Sequence, residues 1–468
     1  MDDAHRLPDG NMECRLAMDR PGVLKLKPRR DECLCGHLCC WDCWSRQVPK
    51  GCFGELSNEG EFSIFGDSPS CVLEMQICGR KAGGIFANIL EIMVGVFMVM
   101  YLPITTYSLY AMLRVHFHRT ACRGDSRPDG RRIIVEIVTN GQNPEVVEDI
   151  ISRLKTFRVE FETWVLKEEH DTFAYSANEI TVPAQYRTPK NSFKKMRALH
   201  YGIEFLHDRG HGPETYIIHL DDDSIINESY VRYVETMEEQ SGQGSIRLRG
   251  YGMHLMSTLA DMIRVSDCDI YCRNFNEHGR PKLIHGEGLV IRADVEYEIG
   301  WDYGGYGAED LIMGISVPAR GYSFGYIPDY VYISPPTSAV DFYKQRRRWI
   351  YSIMNNMDTI MHTDRRAMAF ITYRYAVGWA GIIGMTIWFV DLLLGHQMPL
   401  MYTIVGSFNL VMALAIYEYG VWHTNRRYTL WMAIMLVPIS FYEGGAFVYT
   451  LLRPPKKNTF DVIRKVRI

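Results

Sequence analysis

Four long apolar stretches are the feature that most constrains how this chain can fold. They lie at residues 85–113, 373–394, 400–420 and 430–452. About 20 consecutive apolar residues match the hydrocarbon thickness of a bilayer, so each stretch is long enough to cross a membrane. The sequence between the first and second stretches is polar and charged. We therefore predict a multi-pass integral membrane protein that carries a water-exposed domain between its first span and a small bundle of C-terminal helices.

Charge placement predicts the side of the membrane on which that domain lies. Arginines follow the first apolar stretch at Arg114, Arg119, Arg123, Arg127, Arg131 and Arg132. By the positive-inside rule they place the following domain in the cytosol, at the ER or Golgi of a eukaryote or at the plasma membrane of a prokaryote. The net charge of −4, from 51 basic and 55 acidic residues, provides no basic field for nucleic acid. We therefore expect a membrane partner and no nucleic-acid partner.

The segment before the first span is rich in cysteine and lacks helical or strand periodicity, so we expect residues 1–84 to be irregular. Nine of the 12 cysteines precede the span, and several crowd around His37. Thiolates and imidazole suit zinc, but the Cys-x-Cys and Cys-Cys spacings differ from the usual CxxC pairs. Disulfides would suit an exoplasmic segment and acylated cysteines a cytosolic one, so three interpretations stay open.

The segment 131–336 alternates short β-branched runs with helical patterns, which is typical of an α/β domain with a mainly parallel sheet. A first run at 133–138 precedes a helical pattern at 144–157. Another run, at 216–220, ends directly in Asp221-Asp222-Asp223. Ligands of open α/β sheets bind beyond the carboxyl ends of the strands. The aspartates are therefore placed where a binding site is expected.

Two groups of acids are candidates for chemistry. Adjacent carboxylates repel one another unless a cation lies among them, and a divalent metal with phosphate oxygens would serve, so Asp221 and Asp223 are candidate metal ligands. The alternative is a solvated turn in which Asp and Ser224 cap the next helix. The pair Glu309-Asp310 follows a glycine-rich approach and could stabilise a helix dipole. It could equally supply the general base, for which Asp310 is our candidate.

A basic element, Gln345-Arg346-Arg347-Arg348-Trp349, lies in an amphipathic region at residues 337–370. A juxtamembrane cluster that meets anionic lipid would have the same basic composition. The glutamine and tryptophan favour a site, because guanidinium groups bind diphosphates and an indole face can line a sugar channel.

These three elements, in this order, resemble the processive-type (family two) inverting membrane glycosyltransferases, and most closely the egghead-type β-1,4-mannosyltransferases of glycolipid synthesis. The resemblance covers roughly residues 131–349 and rests on the stretches 193–201, 219–224, 257–267, 308–310 and 334–349. It implies a GT-A, Rossmann-like nucleotide-sugar-binding domain. It also implies direct displacement at the anomeric carbon, which converts an α-linked donor into a β-linked product.

The resemblance implies a role for each matching residue. Asp221 and Asp223 would hold Mg²⁺ or Mn²⁺ against the donor diphosphate, Asp310 would be the base and Glu309 would support it. The expected donor-binding residues are Thr139, Glu168, Lys195, Arg197, Asp221, Gln345, Arg347 and Arg348, with Arg346 as a further candidate for the diphosphate. The expected acceptor-binding residues are Trp349 and His285. Glu168 stands where an Asp is usual, which leaves the choice of base open.

The predicted function is transfer of a hexose, best read as mannose from GDP-mannose, to a lipid-linked or glycolipid acceptor. A UDP-hexose donor stays open. One alternative is a processive β-polysaccharide synthase, against which the small number of spans counts. Another is a non-catalytic membrane scaffold, which the full set of acids, arginines and Trp349 disfavours.

The expected domain order is a Cys-rich segment, a transmembrane helix, the GT-A domain, the amphipathic region with the Gln-x-x-Arg-Trp motif, a transmembrane region and a basic tail, at 1–84, 85–113, 131–336, 337–370, 371–452 and 453–468. The tail stretch 460–465 resembles a cytosolic gating loop of polysaccharide synthases. A cytosolic tail requires one C-terminal segment to be re-entrant or interfacial. We expect this of 430–452, which contains Pro438, and we expect Glu443 within it to contact the acceptor.

Overall fold

The computed structural model describes the backbone of residues 17–20, 23–26, 53–56, 62–65, 70–117, 130–305, 307–393 and 399–455, and side chains from residue 91 onward. The chain forms two compact units, Met1–Met93 and Val94–Ile468. The interpretations of the N-terminal cysteines as zinc ligands, disulfides or acylation sites lie outside the described side chains. The gating-loop resemblance at 460–465 likewise lies outside the described residues.

The first unit contains four short strands that pair in an antiparallel sheet of order β1-β2-β4-β3. They are β1 (Ala17–Arg20), β2 (Val23–Leu26), β3 (Phe53–Leu56) and β4 (Phe62–Phe65). The expectation that residues 1–84 are irregular was therefore wrong at these positions, because strands of four residues are too short to show an alternating pattern. Helix α1 (Ser70–Phe117) follows, and its portion Glu91–Phe117 is long and apolar enough to cross a membrane.

The second unit is built on an eight-stranded sheet of order β7-β6-β5-β8-β11-β10-β12-β9. The strands are β5 (Arg132–Val138), β6 (Glu162–Glu168), β7 (Asn178–Val182), β8 (Thr215–Asp221), β9 (Ile225–Ile226), β10 (Ser241–Leu248), β11 (Leu289–Arg292) and β12 (Phe324–Ile333). β5 to β8 run parallel, and β10 runs parallel to β12. β11 is antiparallel to both β8 and β10, so the sheet is more mixed than expected.

Helices cover both faces of this sheet. They are α2 (Pro144–Leu154), α3 (Lys195–Asp208), α4 (Glu228–Thr236), α5 (Leu255–Asp267), α6 (Arg273–Glu277), α7 (Ala293–Ile299), α8 (Glu309–Ala319), α9 (Ala339–Asn355) and α10 (Met357–Thr363), with a π-helical turn at Cys268–Cys272. One core packs α2 and α4 on the sheet, and the other packs α3, α7 and α8 on the opposite face. Because β5 is buried on both faces, apolar residues occupy positions 133–135, 137 and 138 instead of alternating with exposed polar ones, and the one acid among them, Glu136, is buried.

The C-terminal part consists of three long apolar helices, α11 (Arg365–Leu393), α12 (Leu400–Trp422) and α13 (Thr429–Leu452). Each meets the length and composition of a membrane span, so the expected α/β domain joined to a small set of apolar helices is confirmed. The buried amide of Asn409 joins α12 to α1: Thr105 Oγ1 donates to Asn409 Oδ1 at 2.9 Å, and Asn409 Nδ2 donates to the Met98 carbonyl at 3.1 Å. Such polar contacts stabilise helix pairs where no water is present.

Candidate active site

Three of the predicted residues lie along one edge of the sheet. β8 ends at Asp221, and the parallel pairing of Val138 with Asp221 puts Thr139, the next residue of the chain, beside it. Glu168 ends β6, on the other side of β5. Parallel strands present their carboxyl ends at the same edge, so this part of the site follows directly from the strand order.

A lysine joins the two groups of acids that lie far apart in the sequence. Lys195, at the start of α3, has its Nζ 2.9 Å from Asp221 Oδ1. The same Nζ lies 3.2 Å from Asp310 Oδ1 and 3.8 Å from Glu309 Oε1. The predicted metal ligand Asp221 and the predicted base Asp310 are therefore brought to a common cation.

Gly286 allows Asp310, the predicted base, to pack this closely against Lys195. A Cβ atom at this position would lie 2.4 Å from Asp310 Oδ2 and 2.8 Å from Lys195 Nζ, well inside van der Waals contact. The sequence analysis did not single out Gly286, although two glycines flank Glu287 directly before β11. That glycine pattern was the available signal for a close backbone approach.

The electrostatics of the cluster suit proton transfer. Burial raises the pKa of Asp310 to about 7, opposed by Lys195 and reinforced by Glu309 and Asp221. Although burial disfavours the charged form of Lys195, the neighbouring carboxylates hold its pKa well above the usual value. A carboxyl group that titrates near neutrality can accept a proton from a hydroxyl group and later release it to water.

A second buried charge network lies beneath the strand ends. His219 of β8 has Nδ1 3.1 Å from Glu136 Oε1 and Nε2 3.0 Å from Glu296 Oε2, and Trp301 Nε1 donates to Glu296 Oε1 at 2.6 Å. Although burial opposes it, the two carboxylates raise the pKa of His219 to about 10. The His219 contacts with the two glutamates tie β5, β8 and α7 together two residues before Asp221.

The acid pair is positioned by a strained loop that α9 supports. Gly307 has φ +79° and the N-cap residue Ala308 has φ +57°. A Cβ atom on Gly307 would lie 2.0 Å from Ser352 Oγ, and Asn356 Nδ2 donates to the Gly307 carbonyl at 2.9 Å. The helix that carries the Gln-x-x-Arg-Trp element thus packs directly against the loop that starts α8.

The chemistry of the strand-end carboxylates fits a hard divalent cation. Asp221 and Asp223 offer oxygen ligands, and Arg249 Nη2 holds the Asp223 carbonyl at 2.8 Å. Within the described residues there is no group of three or more metal-ligating side chains. Mg²⁺ commonly takes one or two carboxylates and completes its shell with phosphate oxygens and water, so this donor set remains suitable.

Two of the predicted donor-binding residues, Glu168 and Arg197, line a cavity of about 520 Å³ beyond the end of β6. Its lining includes Glu168, Glu169, His170, Arg187, Phe193 and Arg197. Arg197 Nη2 donates to Glu168 Oε2, and burial raises the pKa of Glu168 against the effect of this arginine. The predicted donor residues Glu168 and Arg197 are therefore in direct contact.

The residues of the basic element on α9 make different contacts. Arg346 is buried, and its guanidinium donates to Asp261 Oδ1 at 2.8 Å and to Glu443 Oε1 at 2.7 Å. These two ion pairs count against the suggestion that Arg346 binds the diphosphate, because both carboxylates already engage its guanidinium. Gln345 Oε1 accepts from Arg346 Nη1 at 2.7 Å, and Arg347 lies 5.3 Å from the centre of the Tyr449 ring.

Contacts of this element bear on three further expectations. Glu443 forms an ion pair with Arg346. A contact between Glu443 and the acceptor, which we expected, would have to compete with this ion pair. The donor roles of Gln345, Arg347 and Arg348 stay predictions. Gln345 contacts Arg346 of the same helix, and Arg347 contacts the Arg453 carbonyl at the end of α13. The reason is geometric: neighbouring residues of a helix point in different directions, so one basic run serves several surfaces.

The two predicted acceptor residues are connected to the base through a chain of contacts. The loop that carries His285 continues through Gly286, which packs on Asp310. Glu287 follows and has Oε1 3.8 Å from Arg264 Nη2. The Arg264 guanidinium lies 4.4 Å from the centre of the Trp349 ring. Neither Glu287 nor Arg264 was expected from the sequence.

His285 has a further, unexpected neighbour. Its Nε2 lies 3.3 Å from the sulfur of Cys268 in the π-helical turn, and its Nδ1 lies 3.0 Å from the Glu287 carbonyl. Both Cys268 and Cys272 are free and buried. His285 is thus held by protein groups on both ring nitrogens, and its predicted acceptor role remains a prediction.

Comparison with known proteins gives consistent likenesses. The sequence profile described as "Glycosyl transferase family group 2" matches residues 216–442. The beta-1,4-mannosyltransferase egh of Drosophila melanogaster is 29% identical over a region that covers 47% of this chain and 52% of the fly protein. The beta-1,4-mannosyltransferase bre-3 of Caenorhabditis elegans is 28% identical with the same two coverages. The similarity therefore spans about half the length of these relatives.

Among solved structures, the chain is similar to the mannosyltransferase PcManGT from Pyrobaculum calidifontis in complex with GDP-Man and Mn²⁺. The identity is 15%, with a TM-score of 0.45, over 77% of this chain and 99% of that chain. A structure of S. aureus TarS in complex with UDP is 13% identical, with a TM-score of 0.31, over 71% of this chain and 94% of that chain.

Proposed function

The chain carries a glycosyltransferase domain of family group 2, and on that premise we propose that it is an inverting, metal-dependent mannosyltransferase that acts on a membrane glycolipid. The observation that carries this proposal is the cluster in which Lys195 joins Asp221 at the strand end to Asp310 on α8. A donor diphosphate at Asp221 and an acceptor hydroxyl at Asp310 would then meet at one point. The names of the similar fly and nematode proteins support mannose as the sugar.

The proposed reaction is one displacement. The acceptor hydroxyl oxygen attacks the anomeric carbon of the donor sugar while Asp310 takes the hydroxyl proton. The bond between that carbon and the diphosphate oxygen breaks, and GDP leaves with the bonding electron pair. Attack from the face opposite the diphosphate converts the α-linked donor to a β-linked product. Asp310 then releases its proton to solvent, which restores the base.

Asp221 and Asp223 would hold Mg²⁺ or Mn²⁺ at the end of β8. When bound, this ion supplies positive charge that stabilises the departing diphosphate. Lys195 lies at the same carboxylates and orients Asp310 through its contacts with both carboxylate oxygens, at 3.2 and 3.3 Å. Glu309, with Oε1 3.8 Å from the same lysine, adds negative charge that keeps the lysine charged.

Placement at the membrane supports a lipid-linked acceptor. The domain is flanked by helices long and apolar enough to cross a bilayer, at Glu91–Phe117 and from Arg365 onward. Arg114, at the end of the first of these, pairs with Glu277 of α6 at 3.2 Å, so the catalytic domain is held against the apolar helix. An acceptor that is anchored in the same bilayer would be delivered to this surface.

The test is transfer from labelled GDP-mannose, UDP-glucose and UDP-N-acetylglucosamine to a glucosyl-lipid, in membranes that contain the full chain. We expect mannose transfer by the wild type and loss of at least about a hundredfold in Asp310→Asn, because the amide cannot accept the proton. Asp294→Asn is the matched control, since Asp294 pairs with Arg292 away from Lys195.

Each outcome bears on a different part of the proposal. Transfer from a UDP-sugar would replace the donor and keep the mechanism. Wild-type mannose transfer by Asp310→Asn would contradict the assignment of Asp310 as the general base. Activity that is unaffected by chelation and by Asp223→Asn would contradict the proposed metal dependence.

A further inference from the structure

Three cations lie close together where the loop after α6 meets the start of α11. They are Arg280, Lys282 and Arg366, which we call the cationic cluster. Arg280 and Arg366 are exposed, and Lys282 is partly buried. The proposed transfer reaction uses none of these residues, so an inference about the cluster goes beyond the proposed function and does not depend on it.

Two phenylalanine rings bring the cluster together. Lys282 Nζ lies 4.9 Å from the centre of the Phe275 ring and 5.7 Å from that of Phe370, and the two rings meet edge-on with centres 5.0 Å apart. The Arg280 amide donates to the Phe275 carbonyl at 3.0 Å. Arg366 lies one turn before Phe370, on the same face of α11. The three cations therefore surround one pair of aromatic rings.

The charges of the cluster repel one another. Burial lowers the pKa of Lys282, opposed by Asp364 and reinforced by Arg366 and Arg280. Asp364 is itself engaged by the start of α11, because its Oδ1 accepts from the amides of Arg366 at 2.8 Å and Ala367 at 3.2 Å. One carboxylate thus caps the helix and also faces three cations. An anion from outside the chain would relieve this repulsion.

The start of α11 also departs from the usual charge preference of a helix. The N-terminal end of a helix carries a partial positive charge and favours acids. The first turn of α11 contains Arg365 and Arg366 and no acid. Residues that break a local rule in this way are expected at functional sites.

The cluster lies at the level where a bilayer surface would meet the chain. α11 is long and apolar enough to cross a membrane, and Arg366 is its second residue. The Phe275 ring stacks on Tyr107 of α1, another such helix, with ring centres 5.7 Å apart. The cluster therefore lies beside the ends of two candidate spans. Its aromatic rings would pack against the glycerol and upper acyl chain of a lipid, which a free phosphate ion lacks.

We propose that Arg280, Lys282 and Arg366 bind the headgroup of an anionic phospholipid in the leaflet that faces the catalytic domain. The lipid phosphate lies among the three cations, and a headgroup with net negative charge, such as that of phosphatidylserine, balances more of their charge than phosphatidylcholine does. Each cation near an anionic membrane surface strengthens binding by roughly fivefold. The site is separate from the donor and acceptor residues discussed above.

The test measures binding of radiolabelled dioctanoyl-phosphatidylserine to the full chain in a nonionic detergent. The competitors are unlabelled dioctanoyl-phosphatidylserine, dioctanoyl-phosphatidylcholine and inorganic phosphate. We expect phosphatidylserine to compete at least about fivefold better than phosphatidylcholine at low salt, because it has the net charge that the cations attract. This preference should shrink at high salt, since salt screens exposed charges. Inorganic phosphate should compete much less well than phosphatidylserine.

Three double substitutions assign the preference to the cluster. Arg280→Gln with Arg366→Gln removes two cations, so the preference for phosphatidylserine should fall to roughly twofold or less. Arg280→Lys with Arg366→Lys keeps both charges and should keep most of the preference. Arg426→Gln with Arg427→Gln is the matched control, because it removes two exposed cations from the loop between α12 and α13, the ends of two other candidate spans. The preference should stay there as in the wild type.

Each outcome decides a part of the inference. Equal competition by the two lipids in the wild type overturns the site, and equal loss in the control variant shows a general effect of basic charge instead of a site. Inorganic phosphate that competes as well as phosphatidylserine overturns the lipid assignment. If the glutamine double variant fails to fold, as judged by gel filtration in detergent, Arg366→Gln alone decides, and an unchanged preference there contradicts the inference.

The binding measurement needs no sugar transfer. A chain that prefers phosphatidylserine but transfers no mannose would support the lipid site and count against the proposed function. A chain that transfers mannose but binds both lipids equally would do the reverse. The two proposals therefore fail separately.

Discussion

At the residue scale, the packing of Asp310, the proposed base, depends on the missing side chain of Gly286. The position of Gly286 against Asp310 and Lys195 leaves no room for even one added carbon, since a Cβ atom would come within 2.4 Å of Asp310 Oδ2. Asp310 lies at the start of a helix and could adopt other rotamers. The absence of a side chain at Gly286 therefore leaves room for the rotamer in which the Asp310 carboxylate meets Lys195.

We predict that Gly286→Ala lowers the rate of transfer by about a hundredfold, the effect expected when a catalytic group is displaced by about 1 Å. The initial rate with saturating donor measures the loss, and the thermal unfolding midpoint in detergent checks that the chain remains folded. Gly212→Ala is the control, because its Cβ would lie at an ordinary 3.4 Å from Glu214 Oε2. A Gly286→Ala enzyme with wild-type activity would show that the close packing is unimportant.

At the scale of elements, one buried arginine joins three helices. Arg346 of α9 pairs with Asp261 of α5 and with Glu443 of α13, and Asp261 has no exposed side-chain surface. Removing one member of such a network leaves the other charges buried without compensation. α9 also supports the loop at Gly307, so the network stabilises the position of the acid pair as well.

We predict that Arg346→Met lowers the free energy of unfolding by about 3–5 kcal/mol, the usual cost of breaking a buried ion pair. The measurement is the thermal midpoint of the full chain in detergent. Arg347→Met on the same helix should have a much smaller effect, because Arg347 is partly exposed and packs against the ring of Tyr449. Equal effects of the two substitutions would contradict the assigned role of Arg346.

At the scale of the whole molecule, α13 meets the catalytic domain near both of its ends. Tyr428, just before α13, packs edge-on against Tyr251, with ring centres 6.2 Å apart. At the other end the carbonyl of Arg453 lies 3.4 Å from Arg347 Nη1. The helix continues through Pro438 without a break, although it is also long enough to span a bilayer. These contacts favour the expected interfacial placement of the segment 430–452.

We predict that both ends of α13 are on the same side of the membrane as the catalytic domain. Single cysteines at Arg427, Arg453 and Asp208, all exposed positions, should then be labelled by a membrane-impermeant maleimide from the same side, after subtraction of the background from native cysteines. Asp208 reports the side of the catalytic domain. Labelling of position 453 from the opposite side would instead make α13 a true span.

The sequence alone determined the parts of this protein that depend on local pattern. Apolar length indicated the four candidate spans. The mostly apolar runs 133–138 and 216–220 indicated buried strands, and the second of them ends at Asp221. The distinctive order of acids and Gln-x-x-Arg-Trp indicated the family, which the matching profile supports.

Tertiary structure alone decided which residues meet. Lys195 and Asp310 are 115 positions apart, and no local pattern reports that they share an ion pair. The antiparallel insertion of β11 between β8 and β10 brings Gly286 to Asp310, and a strand of four residues gives too weak a signal to predict it. Arg346 and Arg347 look alike in the sequence, yet the direction of each side chain from the helix buries the first and leaves the second near the surface, because packing assigns each helical position to a different neighbour.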